Sequence, residues 1–143
     1  MYYINCLQDI LVFISKVCFA SGIGAWLGRE RGQYKEYIGA RTFSIICLSA
    51  CLLAILSLEL QTKYSFDFVR LLSYGISSIG FLGAGLIWKQ DNHIEGLTTA
   101  SSLFVLMPLG YLIGLAYYLE SFIVFILVYI ILEFKDKENY HEK

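Results

Sequence analysis

The sequence predicts an all-α integral membrane protein, a bundle of five transmembrane helices. Of its 143 residues, 57% are hydrophobic and only 16% are charged, and the mean hydropathy is +0.62. Several apolar runs approach or exceed the roughly 20 residues that a helix needs to cross a bilayer. Small and hydroxyl residues are concentrated inside these runs, where they let helix backbones approach one another closely. We therefore expect one membrane domain with an organised interior.

Four apolar segments reach a membrane-spanning length, and a fifth is shorter. The fifth spans only if it is tilted or if its helix begins before Glu120, so a bundle of four spans stays open as an alternative. We expect residues 1–134 to form the transmembrane domain and residues 135–143 a charged cytoplasmic tail. The predicted segments are 7–27, 38–58, 68–88, 97–118 and 121–134.

Basic residues indicate the orientation. The loop after the first segment carries Arg29, Arg31, Lys35 and Arg41, the densest basic cluster in the chain. Cytoplasmic loops carry an excess of Lys and Arg, so this loop is expected to be cytoplasmic, with the N-terminus outside and the C-terminus inside. The net charge of −1 leaves no basic face for a phosphate backbone, which argues against nucleic acid as a partner.

Three segments carry pairs of small residues four positions apart. These are Gly24 with Gly28, Gly110 with Gly114, and Gly80 with Ala84. Such pairs form flat helix faces, and we expect the helices to meet along them. The spacing does not say whether the contact lies within one chain or between copies. We separately expect the protein to self-associate as a homo-oligomer. Cys47 and Cys51 lie one helical turn apart, which favours small-residue packing over a disulfide or a metal site.

The glycine-rich run over residues 77–85 has two interpretations. In the first interpretation, the helix breaks there and exposes carbonyl oxygens around Gly80, Gly83 and Gly85 to a cation, as discontinuous helices do in transporters. Alternatively, an unbroken helix packs closely against its neighbours through these glycines, which we favour.

Several ionisable residues border the apolar segments, where charge is costly and marks an interior, a partner or water. Glu30 and Arg41 flank the first loop, and Asp67 and Arg70 lie three apart, so both pairs are expected to interact. They either fix the fold or line an ion path. Lys16 lies well inside its segment and is expected to be paired or to face a polar cavity. Carboxylate oxygens suit Mg²⁺, so Glu30 and Asp67 are the candidate metal ligands.

Hydroxyl groups open the fourth segment at Thr98 and Thr99, where they bond the preceding turn or reach the third helix. The preceding loop, residues 91–95, is expected to be a solvated turn. Ser77 resembles the nucleophile of an intramembrane protease, but such a serine needs a nearby base. The histidines, His93 and His141, lie in a loop and in the tail. We expect no enzyme, no catalytic residue and no cofactor.

Four motifs follow one another in order: Gly24-Ala-Trp-Leu-Gly-Arg-Glu-Arg31, Gly39-Ala-Arg-Thr42, Ile79-Gly-Phe-Leu-Gly-Ala-Gly-Leu-Ile87 and Gly96-Leu-Thr-Thr-Ala100. Together with Asp67 and Arg70, they resemble the membrane domain of the MgtC/SapB family over residues 20–118. The resemblance departs at Ser78, Glu95 and Phe104, where the family usually has glycine, a basic residue and tryptophan. We also expect the protein to lack the soluble C-terminal domain of longer relatives.

The resemblance implies a multi-pass protein of the bacterial inner membrane that supports Mg²⁺ homeostasis. The expected mechanism is transport, with Mg²⁺ as the substrate. The alternative is regulation without transport, through binding to another membrane complex such as the proton-translocating ATP synthase. The resemblance carries over these residues as candidates: Glu30, Arg41, Thr42, Asp67, Arg70, Gly80, Gly83, Gly85, Thr98 and Thr99.

Overall fold

A computed structural model describes residues 2–32, 38–64, 67–90 and 93–138 of the chain. Within these ranges the chain forms five helices, as the apolar segments predict, and one short β-hairpin between the third and fourth helices. In chain order the elements are α1 (Tyr2–Gly32), α2 (Ala40–Tyr64), α3 (Phe68–Ala84), β1 (Trp88–Gln90), β2 (His93–Glu95), α4 (Leu97–Gly114) and α5 (Tyr118–Glu138).

Three helices of the described chain are long and apolar enough to cross a membrane. They are α1 over Leu7–Glu30, α2, and α4. The apolar helix α3 has 17 residues, or about 25 Å at 1.5 Å per residue, against a hydrocarbon core of about 30 Å. Helix α5 begins at Tyr118, before Glu120, which is the condition for its spanning. The chain is therefore a multi-helix membrane protein; five spans and their orientation stay a prediction.

Helices α2 and α4 form the centre of the bundle. Helix α1 packs mainly on α2, α3 packs on both central helices, and α5 packs mainly on α4. The largest fully buried side chains include Phe43 of α2 and Leu103, Leu106 and Leu109 of α4. Large apolar side chains such as Phe81, which is 82% exposed, cover the outer surface, as lipid requires.

The third helix ends at Ala84, four residues before the predicted boundary at residue 88. Gly85 caps it, and the following residues pair as an antiparallel hairpin with Trp88 opposite Glu95. Of the expected solvated turn at residues 91–95, the described residues 93–95 form the second strand of this hairpin, and residues 91 and 92 lie outside the described residues. Gly96 then starts α4 in the left-handed region, with φ of 81°, and a β-carbon there would collide with the Leu86 carbonyl.

The fourth helix ends at Gly114, before the predicted boundary at residue 118. Ala116 adopts φ of 68°, the Tyr117 amide donates to the Leu112 carbonyl at 2.8 Å, and the Ala116 amide donates to Ile113 at 3.0 Å. These two bonds form a Schellman motif, which satisfies the last carbonyls of the helix. The chain then turns directly into α5.

The other helices extend beyond the apolar segments. Helix α1 runs to Gly32 and α2 to Tyr64, because polar residues continue both helices where the apolar runs stop. In the last turns of α2, Lys63 forms an ion pair with Glu59 one turn earlier. Helix α5 likewise continues past residue 134 to Glu138. Lys35, Asp91 and residues 139–143, which include the end of the predicted tail, lie outside the described residues, as do the side chains of Arg31 and His93.

Candidate functional site

The interior of the bundle is built on a direct contact between the backbones of α2 and α4. A β-carbon added at Gly110 would lie 2.5 Å from the Ala50 Cβ atom and 2.6 Å from the Cys47 carbonyl oxygen. One added at Gly114 would lie 2.6 Å from the Cys51 carbonyl oxygen. Since ordinary carbon contacts are about 3.5 Å or more, both positions require glycine. The contacts rise together along both helices, so α2 and α4 are parallel.

The first helix meets α2 in the same way from the other side. A β-carbon at Gly24 would lie 2.6 Å from the Phe43 carbonyl oxygen, and one at Gly28 would lie 2.7 Å from the Ala40 Cα atom. The glycine faces of α1 and α4 therefore both contact α2, rather than each other. Cys47 and Cys51 are buried free thiols within this packing.

The third helix buries a different small-residue face from the one that the spacing suggests. Its buried residues are Gly75, Ile79 and Gly83. A β-carbon at Gly75 would collide with the Tyr111 hydroxyl, whose oxygen lies 2.8 Å from the Leu72 carbonyl that it donates to. Gly80 has no atom within 4 Å of such a position and stays exposed.

Helix α3 is continuous from Phe68 to Ala84. Gly80 and Gly83 therefore lie inside regular helix, and Gly85 is the cap, donating its amide to the Phe81 carbonyl at 3.2 Å. The structure realises the alternative in which the run packs as an unbroken helix. Its packing partner is Ala100 of α4, 3.7 Å from the position of a Gly83 β-carbon.

The candidate charged residues occupy opposite ends of the bundle. Glu30 ends the apolar part of α1 near the start of α2, where Arg41 and Thr42 are exposed. Asp67 follows the far end of α2. The 25-residue α2 separates these ends by about 37 Å at 1.5 Å per residue. Glu30 and Asp67 therefore cannot bind one ion together; a role for each as a separate ligand stays a prediction.

Glu30 is half-buried and lines a groove of about 430 Å³ with Gly22, Trp26, Arg29 and Tyr129 among its walls. The expected ion pair between Glu30 and Arg41 does not form among the described residues. The Glu30 carboxylate and the Arg29 guanidinium thus belong to the walls of one groove. This groove lies at the end of the bundle where α1 leads to α2, called the loop end below.

Asp67 acts as the N-cap of α3. Its Oδ1 atom accepts a hydrogen bond from the Arg70 amide at 3.2 Å, as Asp at this position commonly does. The Arg70 guanidinium turns away toward Tyr74, donating from Nε to the hydroxyl at 2.9 Å and lying 5.7 Å from the ring centroid. The expected side-chain pair is replaced by a cap and a cation–π contact.

The hydroxyl-rich start of α4 lies at the same end as Glu30. Thr99 is buried and Thr98 is half-buried, and each residue has an interaction partner. Ser102 donates to the Thr98 carbonyl at 2.8 Å. Among the buried hydroxyls, Ser57 and Ser121 likewise donate to carbonyls of their own helices. These bonds satisfy polar atoms locally and direct them away from the helix contacts.

Lys16 is a cation inside the apolar part of α1. It is half-buried, and its Nζ atom donates to the Gly114 carbonyl of α4 at 2.8 Å. This carbonyl belongs to the last turn of α4, where the helix dipole favours a positive charge. Of the two expected environments, Lys16 therefore has a partner. Over the described residues, no group of three or more His, Cys, Asp and Glu side chains could hold a metal ion.

Sequence reasoning missed two features. One is Gly75, which accommodates Tyr111; its spacing of eight from Gly83, with Ile79 between, is the signal that could have found it. The other is a groove over Gly22 and Trp26, formed between α1 and α5. The residues that line this groove are far apart in sequence, so no local sequence pattern predicts the groove.

The fold and these contacts define a multi-helix membrane protein whose interior is held together by glycine at helix crossings. The sequence matches the MgtC family over residues 17–140. The chain belongs to the MgtC family.

Three bacterial relatives match most of the chain. Protein SapB of Bacillus subtilis is 33% identical over 140 residues, which are 93% of this chain and 58% of that protein. An uncharacterized protein of Haemophilus influenzae is 32% identical over 84% of this chain and 54% of its own length. Protein MgtC of Salmonella typhimurium is 29% identical over 81% and 49%. The chain thus spans about half the length of these relatives. No solved structure matches it significantly.

Proposed function

We propose that this protein is a multi-pass protein of the bacterial inner membrane that supports Mg²⁺ homeostasis as a regulator, by binding another membrane complex without conducting ions itself. The family assignment supports the link to Mg²⁺. The observation that carries the mechanism is the backbone contact between α2 and α4 at Gly110 and Gly114. Because α2 and α4 are the central helices of the bundle, this close contact leaves no space for an ion path between them.

The polar groups of the interior also favour regulation. The buried serines Ser57, Ser102 and Ser121 donate to carbonyls of their own helices. Conduction of Mg²⁺ needs oxygen ligands that replace or hold its water, and the ion dehydrates reluctantly. The carboxylates of Glu30 and Asp67, which are suited to this task, lie at opposite ends of the bundle.

The exposed face of α3 is the surface that we propose for the partner. Ser73, Ser77, Gly80 and Ala84 repeat along one side of α3 and are exposed. A partner helix can approach such a face closely, and close approach stabilises helix pairs in lipid. A second copy of the chain and a larger complex, such as the proton-translocating ATP synthase, are both candidates for this face.

Two experiments test the proposal. The first measures Mg²⁺ entry into proteoliposomes with an internal Mg²⁺-sensitive dye. We expect the wild-type protein and the Glu30→Gln variant to match empty vesicles. Entry that exceeds empty vesicles and falls in Glu30→Gln would instead establish transport.

The second experiment isolates the protein from native membranes with its partner. Gly80→Leu places bulk on the exposed α3 face, at a position where an added β-carbon has no atom within 4 Å, and we expect it to lose the partner. Ser49→Leu, on the exposed side of α2, is the matched control and is expected to keep it. Equal recovery of the partner with both variants would count against the α3 face. Gly110→Leu is unsuitable, because it would disrupt the folded chain.

Transport is the second candidate, and one observation favours it. Thr98 and Thr99 lie at the same end as Glu30 and Arg41, so hydroxyls and a carboxylate are collected at the predicted cytoplasmic side. A path would then run between copies of the chain, and flux would require the oligomer.

A further inference from the structure

A continuous groove runs along the outside of the bundle between α1 and α5. At one end, the rings of Phe19 and Tyr118 meet edge to face, with centroids 6.0 Å apart. Two cavities follow one another, of about 660 Å³ and about 430 Å³, and share Gly22 and Trp26 as walls.

The larger cavity is apolar. Besides the shared residues, its walls include Phe19, Ile23, Phe122 and Phe125. Gly22 forms open floor, because an added β-carbon would have no atom within 4 Å. In a bilayer such a space between helices does not stay empty, and an acyl chain fills it without burying any polar group.

The smaller cavity is polar at the loop end. It brings together Arg29, Glu30 and Tyr129 beside Trp26. Trp and Tyr prefer the level of the lipid headgroups, which places this end at the membrane surface. Glu30 is half-buried and forms no ion pair with a described residue, so its carboxylate is suited to an external cation.

We infer that this groove binds one phospholipid whose headgroup carries a phosphate and a primary ammonium, that is, phosphatidylethanolamine. Its acyl chain lies in the apolar cavity over Gly22. The Arg29 guanidinium donates to the phosphate, a geometry in which Arg excels. The Glu30 carboxylate accepts from the ammonium. This neighbouring cation and anion also disfavour the apolar face of a partner helix as the occupant.

The charge pair predicts headgroup selectivity. A choline headgroup has no N–H group to donate to Glu30, and a glycerol headgroup has no cation. Loss of one charge-assisted hydrogen bond weakens binding roughly tenfold or more. This inference does not depend on the proposed function, because it rests on the groove alone.

Fluorescence quenching tests it with the full-length chain in vesicles. The chain has two tryptophans, so Trp88→Phe leaves Trp26, on the groove wall, as the sole reporter. The vesicles are phosphatidylcholine with increasing fractions of acyl-brominated phosphatidylethanolamine, phosphatidylcholine or phosphatidylglycerol. We expect brominated phosphatidylethanolamine to quench Trp26 well beyond its mole fraction, and the other two lipids to quench near theirs.

Variants assign the effect to the groove. Gly22→Leu places bulk on the apolar floor, where an added β-carbon has no atom within 4 Å, and is expected to remove the excess quenching, whereas Ser49→Leu on α2 keeps it. Glu30→Gln, close in shape, is expected to make phosphatidylethanolamine and phosphatidylcholine equal, and Arg29→Gln to weaken the binding of every phospholipid. Equal quenching by the three lipids in the parent, stronger quenching by phosphatidylglycerol, or excess quenching that survives both Gly22→Leu and Glu30→Gln would overturn the inference.

Discussion

Replacing Gly110 with alanine is expected to push α2 and α4 apart and destabilise the bundle. The added β-carbon would lie 2.5 Å from the Ala50 Cβ atom and 2.6 Å from the Cys47 carbonyl oxygen. Restoring ordinary contact requires a shift of about 1 Å, and a gap of that size loses a quarter to a half of the dispersion energy at neighbouring contacts.

The magnitude follows from two opposing terms. Overpacking of this kind costs about 1–3 kcal/mol. Alanine gains about 0.5–1 kcal/mol over glycine inside a helix. The clash involves backbone on α2, which cannot turn aside as a flexible side chain would, so the cost is expected to win. We predict a net loss of roughly 1–2 kcal/mol in the free energy of unfolding.

The buried thiols of α2 provide the assay. With Cys6→Ser and Cys18→Ser, only Cys47 and Cys51 remain, and both are buried beside Gly110. Their reaction with a thiol-reactive dye during heating in detergent reports the opening of this interface. Gly110→Ala is expected to lower the midpoint temperature.

Gly22→Ala is the matched control for this prediction, because Gly22 lies in mid-helix with no atom within 4 Å of an added β-carbon. It gains the helix preference of alanine with no clash, so its midpoint is expected to stay equal or rise. If Gly110→Ala raises the midpoint as Gly22→Ala does, the close contact between α2 and α4 is wrong.

Three further substitutions test other local contacts by the same unfolding assay. Asp67→Ala is expected to cost about 1 kcal/mol, because it removes the cap on the Arg70 amide, whereas Asp67→Asn keeps the cap and costs little. A loss in Asp67→Asn equal to that in Asp67→Ala would instead assign the effect to charge. Ala116→Gly is expected to stabilise by about 1 kcal/mol, since the φ of 68° suits glycine; a lower midpoint would contradict the Schellman ending of α4. Tyr111→Phe is expected to cost about 1 kcal/mol by removing the hydrogen bond to the Leu72 carbonyl, and no change would mean that the bond contributes nothing.

The sequence predicts the helices well because apolar runs in a membrane have few alternatives to helix. It predicts their ends less well, because ends depend on single backbone conformations. Ala116 adopts a left-handed conformation that alanine seldom takes, so the residue type at this position does not predict the end of α4. Gly96 is conspicuous in sequence, but its role becomes clear only when the Leu86 carbonyl lies beside it.

The candidate site divides in the same way. Spacing identified Gly24, Gly28, Gly110 and Gly114 as flat faces, but not that α2 meets both pairs, since a partner helix leaves no trace in local spacing. Helix α3 has two small-residue faces, and the sequence does not show which one is buried. The face with Gly75 is buried because it packs against Tyr111. The distances between charged residues depend on helix direction. Because α2 runs the full length of the bundle between them, Glu30 and Asp67 lie at opposite ends.

Water access to the interior is the most direct test of the account. In vesicles, a charged methanethiosulfonate reagent added to both sides reacts only with thiols that water reaches. With Cys6→Ser and Cys18→Ser, we predict no labelling of Cys47 or Cys51 until the chain is unfolded, whereas a cysteine at the exposed position Thr62 labels readily. Labelling of the folded chain at the rate of Thr62→Cys would reveal a water-filled path between α2 and α4, and would contradict a bundle that closes on its glycines.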